Sequence, residues 1–347
     1  MLTERQKLIL RVVVDDYILT AEPVGSRTIS KRREITFSPA TIRNEMADLE
    51  EMGFLIQPHT SAGRIPSHKG YRFYVDHVMT LRKLSAGMIE KIKKMYSERF
   101  VEFEQLIQHT AVVLSGLTNY TAIVLGSDLF DAKLKHIQLL PLTERTAVAI
   151  IVTNTGHVEN RKVSVPEGIS LSEMEKLVNL LNDKLYGVPI YQLNERLHSE
   201  ISQELKVHLE QYREGMIILE QALVRNQEDR IFLEGTTNIF SQPEFRDVEK
   251  VRSLFELLER HDRIQEILAS DTGQTGVQVK IGDENDDEAI SDCSIITASY
   301  CIGDRPVGSL SILGPTRMEY SKVISILEYL TGNLSELLTQ LHFDDRI

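Results

Sequence analysis

Arg43 and Asn44 stand side by side just after Ser38-Pro39-Ala40-Thr41-Ile42, and both side chains can fork onto base edges. A guanidinium matches guanine O6 and N7, a carboxamide matches adenine N6 and N7, and a threonine methyl such as that of Thr41 suits a thymine methyl. That chemistry needs a helix that offers its first turn to a major groove. The flanking residues predict one. Ser38 is a good N-cap, and Pro39 at the first position loses no hydrogen bond, because its missing N–H would have been an orphan. Ile42, Met46 and Leu49 recur at helical spacing as a buried stripe, leaving Thr41, Arg43, Asn44 and Asp48 on other faces; Gly53 closes the segment. The free N–H groups at its start favour a phosphate near Ser38.

The elements around this helix must aim it. Thr3 caps a first helix carrying Leu8, Ile9, Val12, Val13 and Tyr17, which ends near Leu19–Thr20 before the turn Pro23-Val24-Gly25. Ser26 is read as the cap of a short second helix, Arg27 to Arg33, with Ile29 inward; Ser26, Arg27 and Thr28 suit contacts to the DNA backbone, which set register without reading sequence. A hairpin follows: Phe54–Pro58, then a polar tip of His59, Thr60, Ser61, Ala62, Gly63 and Arg64 before Pro66. Gly63 is expected to permit the turn. Arg64 is expected at the tip, entering a minor groove or gripping a phosphate. His68, Lys69, Tyr71 and Arg72 then extend the basic surface along a following helix. Taken alone, each Arg or Lys is more readily a solvated surface charge. As an ordered set, two short helical segments plus a basic hairpin predict a winged helix-turn-helix and double-stranded DNA as partner.

Charge is divided to match. Residues 1–84 hold 13 Lys and Arg against 10 Asp and Glu, whereas the whole chain holds 39 against 51. Phosphate binding depends on a local basic face, and the acidic remainder should discourage sticking to DNA elsewhere. At 347 residues the chain exceeds one ordinary core, so two or three domains are expected. It has no run of 18 uncharged apolar residues, and its first residues lack a signal peptide's apolar core, so a cytoplasmic protein without a membrane span is expected. Cys293 and Cys301 are too few for a disulfide framework or a four-ligand zinc site.

Beyond the first 85 residues, Ile92, Met95, Tyr96, Phe103, Leu106, Ile107, Thr110, Val113 and Leu117 keep helical spacing. They predict one long connecting helix over 86–118, or two in series; a dimer element and a core helix both fit. Strands are predicted at 121–125, 134–140, 146–153 and 158–165, with a turn at Asn154-Thr155-Gly156, and again at 277–281, 294–300 and 308–313, before a terminal helix from Tyr320. A helical block near 190–270 would interrupt this sheet. Its Leu197, Ile201, Leu205, Leu209, Tyr212, Met216 and Leu219 suit a dimer seam or ordinary packing, with the dimer seam favoured. The acid run Asp283-Glu284-Asn285-Asp286-Asp287-Glu288 reads as a solvated loop; its spacing does not match a hard-cation site.

No phosphate-binding Gly-x-x-x-x-Gly-Lys-Ser/Thr loop, His-Glu-x-x-His pair or Gly-x-Ser-x-Gly elbow occurs, so neither catalysis nor a cofactor or metal is expected. A ligand-sensing domain behind a DNA-binding head is the rival to a plain repressor, separable by a ligand screen.

The runs Ser38–Gly53, Pro58–Pro66 and Lys69–Arg72 resemble the bacterial heat-inducible transcription repressor family HrcA. So do Gly235–Phe240, Pro243–Phe245 and Gly314–Tyr320. The resemblance implies an α+β chain: a winged helix-turn-helix over 1–85, a connecting helix over 86–118, and a GAF-like domain in two parts, 119–190 and 273–347. A dimerising domain over 191–272 is inserted between those parts. It also implies a homodimeric negative regulator of class I heat-shock genes (the dnaK and groE operons), bound to the inverted-repeat operator CIRCE, released on heat stress, and modulated by the GroE chaperonin.

Overall fold

The computed structural model describes residues 2–58, 63–96, 103–126, 133–154, 158–167, 169–190, 193–198, 212–223, 231–269 and 276–344. The first module begins with α1, Glu4–Thr20, capped as expected: Thr3 accepts from the Gln6 amide, the Gln6 side chain accepts from the Thr3 amide, and Ala21 ends the helix in the left-handed region. The second helix, α2, is only Ser26–Ile29, with Gly25 as its N-cap. The expected span of Arg27 to Arg33 is too long, because after Ile29 the backbone bonds from Lys31 to Thr28 and from Arg32 to Ile29 tighten to three-residue steps. α3, Pro39–Glu51, is capped by Ser38 accepting from the Thr41 amide at 3.1 Å. Its Ile42, Met46 and Leu49 are buried. Strands β1, Leu55–Ile56, and β2, Ile65–Pro66, pair antiparallel with Ile56 opposite Ile65. α4, His68–Phe73, runs on into a π-helical turn, Tyr74–Val78.

The connector is two helices, α5 (Ala86–Met95) and α6 (Phe103–Thr118). They are tied together where the Tyr96 hydroxyl donates to Thr110 at 2.7 Å.

The body holds two separate sheets. β3 (Thr121–Leu125), β7 (Ile231–Glu234), β8 (Val277–Ile281), β9 (Cys293–Ile302) and β10 (Arg305–Pro315) make a five-stranded antiparallel sheet in the order β7-β3-β10-β9-β8. Side chains of a strand alternate between its faces, and here both faces are covered. Ala122 and Val124 of β3 join the core shared with α6 and the terminal helix, while Ile123 and Leu125 join a second core. That second core includes Leu254 and Leu257, from helix Val248–Leu258, and Ile264, from helix His261–Ala269. A strand covered on both sides has no need of polar alternation, so β3 reads as an unbroken apolar run.

β4 (Leu134–Thr143), β5 (Thr146–Thr153) and β6 (Val158–Ser164) pair only with one another. One face is packed by α7, Leu171–Leu185, and by helix Tyr212–Leu223, through Leu177, Leu181, Met216 and Ile218. Asn182 fixes α7 to β4 by accepting from the Ile137 amide and donating to its carbonyl, both at 2.8 Å. These three strands therefore lie outside the main sheet, which takes only β3 from the segment 119–190. The interruption of that sheet runs from β3 to β7, and β7 falls inside the block read as helical. Of the apolar positions in that block, Ile201, Leu205 and Leu209 lie outside the described residues, as does most of the turn expected after Asn154.

The last helix, Tyr320–Asp344, packs along β9 and α6. Its Tyr320, Ile324 and Leu327 belong to the same continuous core as Ile9, Ile42 and Tyr71 of the first module. Head and body thus share apolar packing. Among the described residues no helix is long and apolar enough to cross a membrane.

Candidate nucleic-acid interface

α3 turns its apolar stripe onto α1 and α2 and leaves Arg43, Asn44, Ala47 and Asp48 exposed. Arg43 and Asn44 are therefore held on a rigid, capped helix with their polar ends in solvent, as base readout requires. Ser38 is exposed, and its hydroxyl lies 3.0 Å from that of the half-buried Thr41. Only one of the two hydroxyls donates in that contact, which leaves the proton of the other free for a phosphate oxygen or a base acceptor. Arg27 and Thr28 on α2 are exposed, and so are Lys31 and Arg33 in the turn before α3. Among the described residues none of Arg27, Lys31, Arg33 and Arg43 sits in an ion pair. Neither a cap nor apolar spacing marks Lys31 and Arg33; their only signal in the sequence is the run Lys31-Arg32-Arg33 itself. The middle member is committed elsewhere, since Arg32 pairs with Asp16, a buried carboxylate on α1.

Ser26 does not behave as expected. It is the first residue inside α2 rather than its cap, and it is buried. Its hydroxyl has little surface for phosphate.

The hairpin is placed differently as well. Arg64 is no tip residue: its amide and carbonyl each bond to Val24 at 2.9 Å, and its Nε and Nη2 reach Glu50 Oε2 at 2.8 and 2.7 Å. The return strand thus runs against the chain before α2. A side chain on Gly63 would put Cβ 2.3 Å from the Val24 carbonyl oxygen. Glycine is needed there for close approach to the Val24 backbone, not for the turn that its place in the hairpin predicts. His59, Thr60 and Ser61, the expected tip contacts, lie outside the described residues.

The helix after the hairpin serves the interior. Lys69 donates to the carbonyl of Met52 at 2.8 Å and lies 4.5 Å over the Phe54 ring. It caps the C-terminal end of α3, where a cation meets unpaired carbonyls. Tyr71 is buried beside Tyr320, with ring centres 5.9 Å apart. Burial, reinforced by the neighbouring tyrosine, pushes its phenol well above the ordinary range. Arg72 is turned to the body: its Nε donates to Glu284 Oε1 at 2.8 Å and its Nη1 to Asp76 at 3.1 Å. These ion pairs hold the guanidinium charged far beyond any accessible pH. Tyr71 is withdrawn from any surface contact by burial, and Arg72 by its carboxylate partners, because both sit at the seam between head and body.

The acid run is likewise no simple solvated loop. Asp283 meets His68 Nδ1 at 2.8 Å, and Asn285 is buried, donating to the carbonyls of Gly282, Ile290 and Cys293. Burial alone would raise the Glu284 carboxyl; the hydrogen bonds from Arg72 and the Ile281 amide outweigh it and hold the group below its usual range. Burial pushes the Cys293 thiol up to about 12. Among the described residues, no group of three or more His, Cys, Asp or Glu side chains is arranged to hold a metal.

Residues 104–324 match the family model described as the HrcA protein C-terminal domain. Over 339 residues the chain is 55% identical to the heat-inducible transcription repressor HrcA of Brevibacillus brevis, covering 98% of each. Over 342 residues it is 49% identical to the protein of the same name from Halalkalibacterium halodurans, covering 99% of each. A crystal structure of a hypothetical protein, 26% identical, superposes with a TM-score of 0.65 across 98% of this chain and 100% of that one.

Proposed function

We propose, from the premise that the chain belongs to the HrcA family, how this heat-inducible transcription repressor engages DNA. Residues 1–85 act as a winged helix-turn-helix, with α3 as the reading helix and the hairpin as the wing. Arg43 and Asn44 meet base edges and Thr41 a thymine methyl; Arg27, Thr28 and Ser38 meet the backbone; and the tip residues His59, Thr60 and Ser61 approach the adjoining groove. The observation that carries this reading is the capped α3, whose buried stripe leaves Arg43 and Asn44 exposed together.

The operator is an inverted repeat of the CIRCE type ahead of dnaK and groE operons, met by a homodimer, because one winged helix reads too few bases and a two-fold pair doubles the contact. We place a GAF-like domain in the five-stranded sheet and its helices. The dimerising insertion runs between β3 and β7, a revision of the boundaries 191–272, since β4–β6 pair only among themselves. GroE chaperonin maintains the active fold, and unfolded clients draw it away on heating. Marginal stability makes this workable, because a shift of ~1–2 kcal/mol changes the active fraction several-fold.

Footprinting on the inverted repeat at low ionic strength tests the reading. Protection should appear at growth temperature, fade reversibly on heating and return with added chaperonin. A duplex that gains no protection at any temperature would reject it. A saturable small ligand in a thermal-shift screen would favour the sensor alternative.

A further inference from the structure

The loop that follows β8 grips the helix that follows the hairpin. Arg72 reaches Glu284 with two nitrogens and also donates to the Val279 carbonyl. One turn earlier, His68 Nδ1 lies 2.8 Å from Asp283 Oδ2. Gly282 has φ +56°, and a Cβ there would stand 2.4 Å from His68 Nδ1, so loop backbone and ring are in direct contact. The loop itself is rigidly mounted: buried Asn285 binds three carbonyls, two of them within the loop and one at the start of β9. Two further ties flank this contact. Arg317 donates to the Ile18 carbonyl in the last turn of α1 and pairs with Glu244, both at 2.6 Å. Ser321 donates to the Thr80 carbonyl at 2.8 Å and accepts from the Arg82 amide at 2.9 Å. None of these contacts touches the exposed face of α3.

We propose that the segment Gly282–Glu284 is a latch that fixes the direction of the DNA-reading head relative to the body. The inference rests on the reading of this protein as a dimer on an inverted repeat. A dimer's second head finds its half-site at an effective concentration set by geometry: a head held at the right angle gains most of it, and a head swinging on a linker loses much of it. The latch therefore acts on the full repeat and leaves recognition of one half-site alone. Of the acid run, Asp283 and Glu284 thus serve orientation of the head.

The test uses the full chain and two duplexes, one with the complete inverted repeat and one with a single half-site. The double variant Asp283→Asn, Glu284→Gln removes the charged partners of His68 and Arg72 from the body side, where no DNA contact is assigned, and glutamine keeps an acceptor for the Ile281 amide. Affinity for the complete repeat should fall about tenfold or more relative to the half-site. Amide exchange over 68–78 should also quicken. A ratio that stays level or rises, or an equal loss on both duplexes, would overturn the latch. Asp283→Asn alone should move the ratio in the same direction by less, which keeps the test open if the double variant folds poorly. Wild-type protein that protects neither duplex would instead remove the underlying DNA reading, a result obtained before any variant is made.

Discussion

Arg64 and Glu50 join the hairpin to α3: two guanidinium nitrogens reach one carboxylate oxygen at 2.7 and 2.8 Å. The pair is more than half screened from solvent on both sides, and Arg64 also closes a two-bond bridge with Val24. The base of the hairpin, α3 and the entry to α2 are thus one rigid unit, and this assigns Arg64 to the scaffold of the first module.

Replacing Arg64 with Ala should accordingly cost ~1–2 kcal/mol of stability, the range for a charge-assisted bond discounted for its partial exposure. Chemical denaturation of the full chain checks the size. If Arg64→Ala instead leaves stability intact and removes only a minor-groove footprint, the side chain belongs to DNA after all.

Arg43→Ala and Asn44→Ala should behave in the opposite way. Both residues are exposed, so melting should shift little. Operator affinity should fall by ~1–3 kcal/mol each, with specificity relaxed at one base pair. Binding to a panel of single-base operator variants would show it; a uniform loss across the panel would reassign the residue to phosphate.

Lys69→Ala separates a helix cap from a phosphate contact. With Met52 and Phe54 as its partners, its loss should destabilise the head by ~0.5–1 kcal/mol. The salt dependence of operator binding should stay unchanged. A slope reduced by roughly one would mean the ammonium neutralises a phosphate.

Glu284 sets an acid limit on the seam. Its carboxyl is held below its usual range, with hydrogen bonds from Arg72 and Ile281 outweighing the opposing effect of burial. A depressed carboxyl stabilises the fold above the unfolded-state value of about 4.3 and loses that contribution as pH falls through the folded value. The melting advantage of wild type over Glu284→Gln should therefore be full near neutrality and shrink as pH falls below the unfolded-state value of about 4.3. An advantage that does not shrink on acidification would exclude this origin.

The thiols offer a simpler check. Cys293 is buried, with its ionisation pushed up to about 12, so it should resist a maleimide at pH 8 until the chain is unfolded. The less buried Cys301 should react first. Equal rates in the native state would show the start of β9 to be open.

Local chemistry was enough to write much of this molecule. Thr3 and Ser38 cap the helices they were read to cap, and Ile42, Met46 and Leu49 are buried as their spacing required. The exposed pair Arg43 and Asn44 follows from that same stripe. Caps and periodicity act within a few residues, so a single chain displays them. Tertiary structure alone decided the partners. Apolar spacing says that β4 needs a neighbour but not which one, and it does not mark β7 at all: β4 pairs away from the main sheet, while the four residues of β7, inside a block whose spacing predicts helix, join β3 across more than a hundred. A charge likewise carries no address. Arg72, Tyr71 and Lys69 look in sequence like a basic surface, yet one meets a carboxylate 212 residues away, one enters the core, and one caps a helix. The reason is physical: the energy of an ion pair or a buried ring depends on separation in space, and that is set only when the whole chain has closed.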